Sequence, residues 1–422
     1  MQGVTQGIRA LAMLACGAAV VFGAEPSSPA FTTLYQFSGF PNDGGWPIGG
    51  VAIGPGGVLY GATEIGGNAG SEGWGVVYSL TPPKSAGGAW KEAVLWNFAG
   101  GPLDGNTPFS GVVLGSGGVL YGTTEYGGTR ESGLVYSLTP AAGGTWYETI
   151  VHNFTGGDDG ATPYAPVTVG ADNVIYGTTF FGGLQGGGTV FALTPPIDLP
   201  PGVIHTFNAG SDGGYLTAPV VIGSGGVLYG TTSYGGTLGG GTVFSLTPPT
   251  TPGGAWTEDI LYQFPAGPPG DGQSAVIGLG PKGVLLGTTT VGGTQGLGSV
   301  FVLTPPASPG ESWTLTTIYS FSGPDGQYPA TGVVSTDGVM YGTTPSGGSY
   351  SYGTVFSLKP PAAEGEAWTH TVLHSFTSQA DGAYPNNLTI GSHGILYGTT
   401  LEGGAAHASC VTTCGTVFAL KP

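Results

Sequence analysis

The sequence repeats one motif seven times. In its fourth copy, residues 225–236 contain Leu-Tyr-Gly-Thr-Thr and a Gly-Gly pair, and residues 241–248 continue with Gly-Thr-Val-Phe. The anchor position, a tyrosine in six copies and a leucine in the fifth, recurs every 53 to 61 residues. The anchors are Tyr60, Tyr121, Tyr176, Tyr229, Leu286, Tyr341 and Tyr397. A period of this length predicts a repeat architecture.

The 86 glycines and 34 prolines among 422 residues would indicate disorder in a chain without a period. Here most glycines recur at fixed offsets from the anchor, which is typical of turn positions with positive φ. Each repeat predicts four strands, a to d, which in the fourth copy cover residues 218–222, 227–232, 241–247 and 256–264. No helix-period segment follows the N-terminal region. The pattern predicts an all-β, seven-bladed β-propeller with four-stranded antiparallel blades.

The two ends of the chain predict how the ring closes. Residues 31–37 match strand d with no strand a, b or c before them, and residues 414–420 match strand c with no strand d after them. The N-terminal strand is therefore expected to complete the last blade, which removes the exposed sheet edges. We expect residues 25–422 to form this single propeller domain.

The pattern L-Y-G-T-T-x-x-G-G followed by G-T-V-F-x-L resembles the GloVer tandem repeats of exported bacterial proteins. The resemblance extends along the whole chain after the leader. It implies a secreted or surface protein, and it implies no reaction and no catalytic residues.

Residues 1–24 have the features of a secretory signal peptide, with Arg9 before an apolar run at residues 10–23. Cys16 within this run leaves a lipoprotein alternative open. No later run is long enough to span a bilayer, so no transmembrane segment is expected in the mature chain. The predicted location is secreted, cell-surface or periplasmic, in a bacterium.

Seven basic against 24 acidic residues give a net charge of −17. A nucleic-acid partner requires a basic stripe to replace phosphate counterions, so nucleic acid is excluded as a partner.

An Asp-Gly pair occurs in every loop between strand d and the next strand a. The aspartates are Asp43, Asp104, Asp159, Asp212, Asp271, Asp325 and Asp381. Seven carboxylates in a ring make calcium a possible cofactor, and the alternative is a turn in which Asp accepts local backbone N–H groups. Recurrence in every blade favours the turn. His152, His205 and His374 share a strand-d position with aromatic residues and are interpreted as packing residues.

Departures from the repeat indicate where a ligand site would lie. The b-to-c loop has eight residues in five blades, eleven in the first (64–74) and fourteen in the seventh (401–414). The residue before strand a is aromatic in blades six, seven and one: Tyr328, Tyr384 and Trp46. With Trp74 and Tyr350 these residues predict a ligand-binding face over three consecutive blades. The alternative is that they pack between blades.

Cys410 and Cys414 are expected to pair as a disulfide in an exported protein. His407 completes a His-x2-Cys-x3-Cys pattern, so a soft-metal site is the weaker alternative.

Three function classes remain open. The favoured one is a non-catalytic binding protein for extracellular polysaccharide or a surface protein. The second is a glycoside-active enzyme, hydrolase or lyase, in which Glu64 and Glu402 would supply paired carboxylates. The third is a structural envelope protein without a dedicated ligand.

Overall fold

Each repeat folds into a four-stranded antiparallel sheet in which the strands pair in the order a-b-c-d. In blade 4 these strands are Val221–Ile222, Leu228–Thr232, Gly239–Thr247 and Thr257–Pro265. The computed structural model describes residues 29–422 except 70–72, 86, 195–201, 252, 267–275, 309, 330, 335–337, 364–365, 405–409 and 411–412.

The other six blades have the same strand order. Their strands a to d are Ala52–Ile53, Leu59–Thr63, Val76–Thr81 and Lys91–Asn97 in blade 1; Val113–Leu114, Leu120–Thr124, Leu134–Pro140 and Trp146–Asn153 in blade 2; Thr168–Val169, Ile175–Thr178, Thr189–Leu193 and Gly202–Thr206 in blade 3; Val276–Leu279, Leu285–Thr289, Ser299–Thr304 and Thr314–Ser320 in blade 5; Thr331–Val334, Met340–Thr344, Thr354–Lys359 and Thr369–Ser375 in blade 6; Ala383–Ile390, Leu396–Glu402, Thr416–Lys421 and Ala30–Gln36 in blade 7.

Short 3-10 turns connect strands within blades, and one of them, Ala142–Gly144, lies between strands c and d of blade 2. The a-to-b turns are Pro55–Gly57, Ser116–Gly118, Ala171–Asn173, Ser224–Gly226, Pro281–Gly283 and Ser392–Gly394. The middle residue of the blade-4 turn, Gly225, has φ 70°, as the fixed glycine offsets predict. Among the described residues, no helix is long and apolar enough to cross a membrane.

The N-terminal strand closes the ring, as predicted. Ala30–Gln36 pairs antiparallel with Thr416–Lys421, the last strand of the chain. Seven apolar clusters fill the seams between successive blades, and the seam between blades 7 and 1 buries Phe37 against Tyr78 and Leu59. The seven-bladed propeller is therefore confirmed.

The Thr-Thr pair of the motif has two separate tasks. The first threonine bonds to the next blade: Thr178 Oγ1 donates to the carbonyl oxygen of Ala218 (3.1 Å), and Thr399 Oγ1 donates to that of Gly49 across the closure (2.8 Å). The second threonine bonds within its own blade, since Thr232 Oγ1 lies 3.0 Å from Thr242 Oγ1 and accepts the Thr242 N–H (2.9 Å). The recurring threonines thus stabilise both the blade and the seam.

Candidate functional site

The d-to-a and b-to-c loops meet on one face of the ring, as the strand order predicts. In blade 1 the two loops form a ribbon, Gly44–Gly45 with Ile65–Gly66, and in blade 2 they form Gly105–Asn106 with Tyr126–Gly127. In blade 3, Ala161 bridges to Phe181 in the same way. Side chains from both loop sets therefore share one surface, which we call the paired-loop face.

The residue that the sequence places before strand a adopts a left-handed backbone in every blade where the structure describes it, although in blade 7 the strand already begins at Ala383. These residues are Trp46, Thr107, Thr162, Tyr215, Tyr328 and Tyr384, with φ between 55° and 62°. The N–H of Trp46 donates to the carbonyl of Cys414 in the preceding blade (2.9 Å), and its own carbonyl accepts the N–H of Glu64 (3.0 Å). This position therefore joins each blade to the one before it.

The structure places the predicted blade 6-7-1 aromatics at different depths. Trp46 is half-buried, and its Nε1 donates to the carbonyl of Thr413 in the long blade-7 loop (3.2 Å). Trp74, Tyr328 and Tyr350 are 40%, 40% and 58% exposed. Tyr384 is half-buried, with its ring 6.2 Å from that of Tyr352. Trp46 is thus not fully buried between blades, and these residues remain candidates for ligand contact.

A second aromatic group, which the sequence reasoning missed, lies across blades 2, 3 and 4. Its six rings form consecutive contacts at centroid distances of 4.6 to 5.9 Å. In order they are Phe109, Tyr164, Phe180 with Phe181, Tyr215 and Tyr234. Phe181 and Tyr234 are 46% and 45% exposed. The available signal was the Phe180-Phe181 pair, because no other b-to-c loop begins with two aromatics.

Of the two predicted catalytic carboxylates, Glu64 lies near Glu125 of the adjacent blade. Burial and the charge of Glu125 raise the pKa of Glu64. Glu125 is buried and accepts a hydrogen bond from the Tyr164 hydroxyl (3.1 Å). Glu402 is the last residue of strand b in blade 7, where its backbone pairs with Ala383. A catalytic role for Glu64 and Glu402 remains a prediction.

The Asp-Gly carboxylates bond to their own loops. Asp43 accepts hydrogen bonds from the Ser38 and Gly44 N–H groups, both at 2.7 Å, and from the Tyr35 hydroxyl at 3.0 Å. In other blades the corresponding backbone N–H donors are Ala99 to Asp104, Thr155 to Asp159, Asn208 to Asp212, Ser322 to Asp325 and Thr377 to Asp381. This geometry supports the turn interpretation. Calcium remains a prediction, and Asp271 lies outside the described residues.

The strand-d histidines do pack against phenylalanines, but they also face the Asp-Gly carboxylates. His152 Nε2 is 3.1 Å from Asp159, and His374 Nε2 is 3.1 Å from Asp381. Burial lowers the pKa of both histidines, and the aspartates partly oppose this effect.

Three glutamates lie between blades, each two residues after the strand-d tryptophan: Glu92, Glu148 and Glu258. Burial and the Asp-Gly carboxylate of the preceding blade raise the pKa of Glu92 to about 7 and that of Glu148 to about 8. These side chains therefore bind a proton near neutral pH. Sequence reasoning missed them because the sequence of one repeat does not show which residues of the preceding blade lie against its glutamate.

The predicted disulfide is present. Cys410 and Cys414 are bonded, with Cα atoms 5.5 Å apart, and both are buried in the cluster that contains Phe37 and Val51. Both cysteines of the long blade-7 loop therefore lie against residues of blade 1. His407 and the predicted signal peptide at residues 1–24 lie outside the described residues.

Comparisons with known proteins identify the repeat. The model of the Gloeobacter/Verrucomicrobia repeat matches residues 12–164, 68–278 and 250–422, which confirms the resemblance seen in the motifs. No curated protein matches the chain.

Solved structures are similar at low identity. NanB sialidase from Streptococcus pneumoniae is 10% identical, with 93% of this chain and 70% of that chain covered and a TM-score of 0.44. PorZ, a surface component of the type-IX secretion system of Porphyromonas gingivalis, is 12% identical, with 80% and 45% covered and a TM-score of 0.44. A Dyadobacter fermentans protein of unknown function is 10% identical, with 93% and 99% covered and a TM-score of 0.43. None of these similarities carries a functional argument.

Proposed function

The chain belongs to the Gloeobacter/Verrucomicrobia repeat family, and we propose that it is an exported, non-catalytic propeller that binds a neutral extracellular polysaccharide on its paired-loop face. The observation that carries this proposal is the run of six contacting aromatic rings across blades 2 to 4. The apolar face of a sugar ring packs on an aromatic face, while its hydroxyls remain in water.

The geometry of the run suits an extended ligand. Phe181 and Tyr234 are 46% and 45% exposed and belong to neighbouring blades, and Tyr215 lies between them in the contact order. The half-buried rings beneath them hold this surface in place, so little side-chain entropy is lost when a ligand binds. Only seven Lys and Arg residues occur in the chain, which favours a neutral over an anionic polysaccharide.

The blade 6-7-1 aromatics form a second proposed contact area on the same face. Trp74, Tyr328 and Tyr350 are well exposed, and Trp46 is fixed by its hydrogen bond to Thr413. A long polysaccharide would contact both areas, whereas a short oligosaccharide would contact only one.

Two features support export. Residues 1–24 have the composition of a signal peptide, and Cys410 is bonded to Cys414. Disulfides persist mainly in oxidising compartments outside the cytosol.

The experiment is a glycan array followed by affinity measurement on the best neutral glycan. Phe181→Ala and Tyr234→Ala should each weaken binding about fivefold, because one stacked ring contributes roughly 1 kcal/mol beyond area burial. Trp46→Ala and Trp74→Ala test the second area in the same assay.

Tyr147→Ala is the matched control, because Tyr147 is 65% exposed near the start of strand d, away from the paired-loop face. Tyr215 occupies the position of Trp46 in blade 4 but belongs to the ring run, so Tyr215→Ala is not used as a control. Absence of glycan binding would reject the proposal in favour of a protein partner or a purely structural role. Cleaved products that disappear in Glu64→Gln would instead favour the enzyme.

A further inference from the structure

Three metal-ligating side chains converge at the seam between blades 3 and 4. His205 is the next-to-last residue of strand d in blade 3, Asp212 lies in the loop that follows, and Glu258 lies on strand d of blade 4. One ligand atom from each residue lies within 4.8 Å of the others. In the part of the chain that the structure describes, this is the single group of three or more His, Cys, Asp or Glu residues that close together.

The distances from His205 Nε2 to the two carboxylates are longer than ordinary hydrogen bonds and close to the separation of two ligand atoms on one zinc ion. His205 Nε2 is 3.7 Å from Asp212 Oδ2 and 3.5 Å from Glu258 Oε2. Ligand atoms at zinc–donor distances near 2.0–2.1 Å are about 3.3 Å apart in a tetrahedron. The related pairs His152–Asp159 and His374–Asp381 are 3.1 Å apart, as expected for ordinary hydrogen bonds.

Two polar atoms at this seam are also left without partners. His205 Nε2 and Glu258 Oε1 are buried and have no hydrogen-bond partner among the described residues. Glu92 Oε1 and Glu148 Oε1 are unpaired in the same way at seams without a strand-d histidine, so the informative atom here is His205 Nε2. An unpaired buried polar atom is destabilising, and a bound cation would satisfy this nitrogen.

A third possible ligand, Glu258, distinguishes this seam from the seam after blade 6, where strand d carries the equivalent histidine, His374. At the seam after blade 6, the corresponding position of the next strand is occupied by Phe31, whose ring stacks on His374 at 3.9 Å. Glu92 and Glu148 also lie near an Asp-Gly carboxylate. At their seams, however, the position of His205 is occupied by Tyr35 and Trp96 respectively, neither of which is a metal ligand here. Between blades 3 and 4 an imidazole and two carboxylates come together.

We propose that His205, Asp212 and Glu258 bind one zinc ion that connects blades 3 and 4. Imidazole nitrogen and carboxylate oxygen are both zinc ligands, and three protein ligands leave a position for water. The side chains are 16% to 22% exposed, so water and the ion can reach the site.

The test is zinc titration of the chelator-treated full chain by calorimetry, with the melting temperature measured with and without zinc. We expect one zinc per chain and a higher melting temperature in its presence. His205→Ala and Glu258→Gln should each weaken zinc binding about tenfold or more, since changing even a residue that only supports a metal ligand typically costs about 10- to 100-fold in affinity.

His152→Ala is the matched control and should bind zinc as the unchanged protein does. Circular dichroism checks folding, and Glu258→Gln, which keeps the side-chain volume, tests the site if His205→Ala fails to fold. The proposal is overturned if the unchanged protein binds no zinc. It is also overturned if both variants keep full affinity, and loss of binding in His407→Ala would then place the ion in the blade-7 loop.

Discussion

Replacing Phe37 by alanine tests how firmly the N-terminal strand is bound in the closed ring. Phe37 follows strand d of blade 7 and is 1% exposed. Its ring lies 5.0 Å from that of Tyr78 in blade 1, and it packs with Leu59, Val51 and Cys414. Removing a buried phenylalanine side chain from such a core lowers the free energy of unfolding by about 3–5 kcal/mol.

The repeat supplies an internal reference for this value. Phe207 occupies the same position in blade 3, is fully buried, and packs its ring 5.0 Å from that of Phe244. Phe207→Ala should therefore be about as destabilising as Phe37→Ala if the terminal strand is bound as firmly as an internal one. A strand that opens before the rest of the protein unfolds would make the Phe37 change much the milder of the two.

The assay is equilibrium denaturation in guanidinium chloride, followed by far-UV circular dichroism and tryptophan fluorescence. The free energy of unfolding is compared only if the slope with denaturant is unchanged, since a changed slope indicates a different unfolding reaction. A loss below about 1 kcal/mol for Phe37→Ala beside 3–5 kcal/mol for Phe207→Ala would refute closure by a firmly bound strand.

Three further changes have defined outcomes. Gly225→Ala should lower the free energy of unfolding by about 1 kcal/mol or more, because an added Cβ meets nothing within 4 Å and only the φ of 70° is unfavourable. Gly202→Ala is the control in the same denaturation assay, since Gly202 has no positive φ and its added Cβ would lie 3.8 Å from the Ala192 carbonyl oxygen. Burial and Asp104 raise the pKa of Glu148 from 4.5 to about 8, so the folded state keeps a proton that the unfolded chain releases and stability should fall as pH rises through this window. Glu148→Gln should reduce that fall, and urea denaturation at pH 5 and pH 8 would show an unaltered pH dependence if the reasoning is wrong. Cys410→Ala should lower the free energy of unfolding by about 2 kcal/mol, because the disulfide closes a loop with a sequence separation of 4. Proteolysis of this variant should cut first within residues 401–414. An unchanged cleavage pattern would contradict this role of the disulfide.

The repeat period and strand pattern were sufficient to predict the ring. Strand d of blade 4 was expected at residues 256–264 and is Thr257–Pro265. Strand a was expected at residues 218–222 but is only Val221–Ile222. The difference has a physical cause, because the carbonyl of Ala218 bonds to Thr178 of the preceding blade instead of to its own sheet.

The contacts between blades could not be predicted from one repeat read alone. The pKa of Glu148 depends on Asp104, which belongs to the preceding copy of the motif. In the same way His205 was interpreted as a packing residue, since its own strand shows only that aromatics share its position. What distinguishes it is Glu258 on the next blade, at 3.5 Å. Only the spatial arrangement of neighbouring blades shows that these residues meet.

The left-handed position before strand a shows where stability and binding place different demands on the same residue. Its backbone bonds to two loops, and glycine would meet the φ requirement without the roughly 1–2 kcal/mol penalty of a side chain. Glycine is the commonest residue of this chain, with 86 copies, yet none of the six described residues at this position is glycine. Four of these blades carry an aromatic residue instead: Trp46, Tyr215, Tyr328 and Tyr384. Since backbone conformation does not favour these rings, contact through the side chain is the better reason for their presence. Trp46 and Tyr384 make such contacts with Thr413 and Tyr352, and Tyr328, which is 40% exposed, is available to the ligand that we propose.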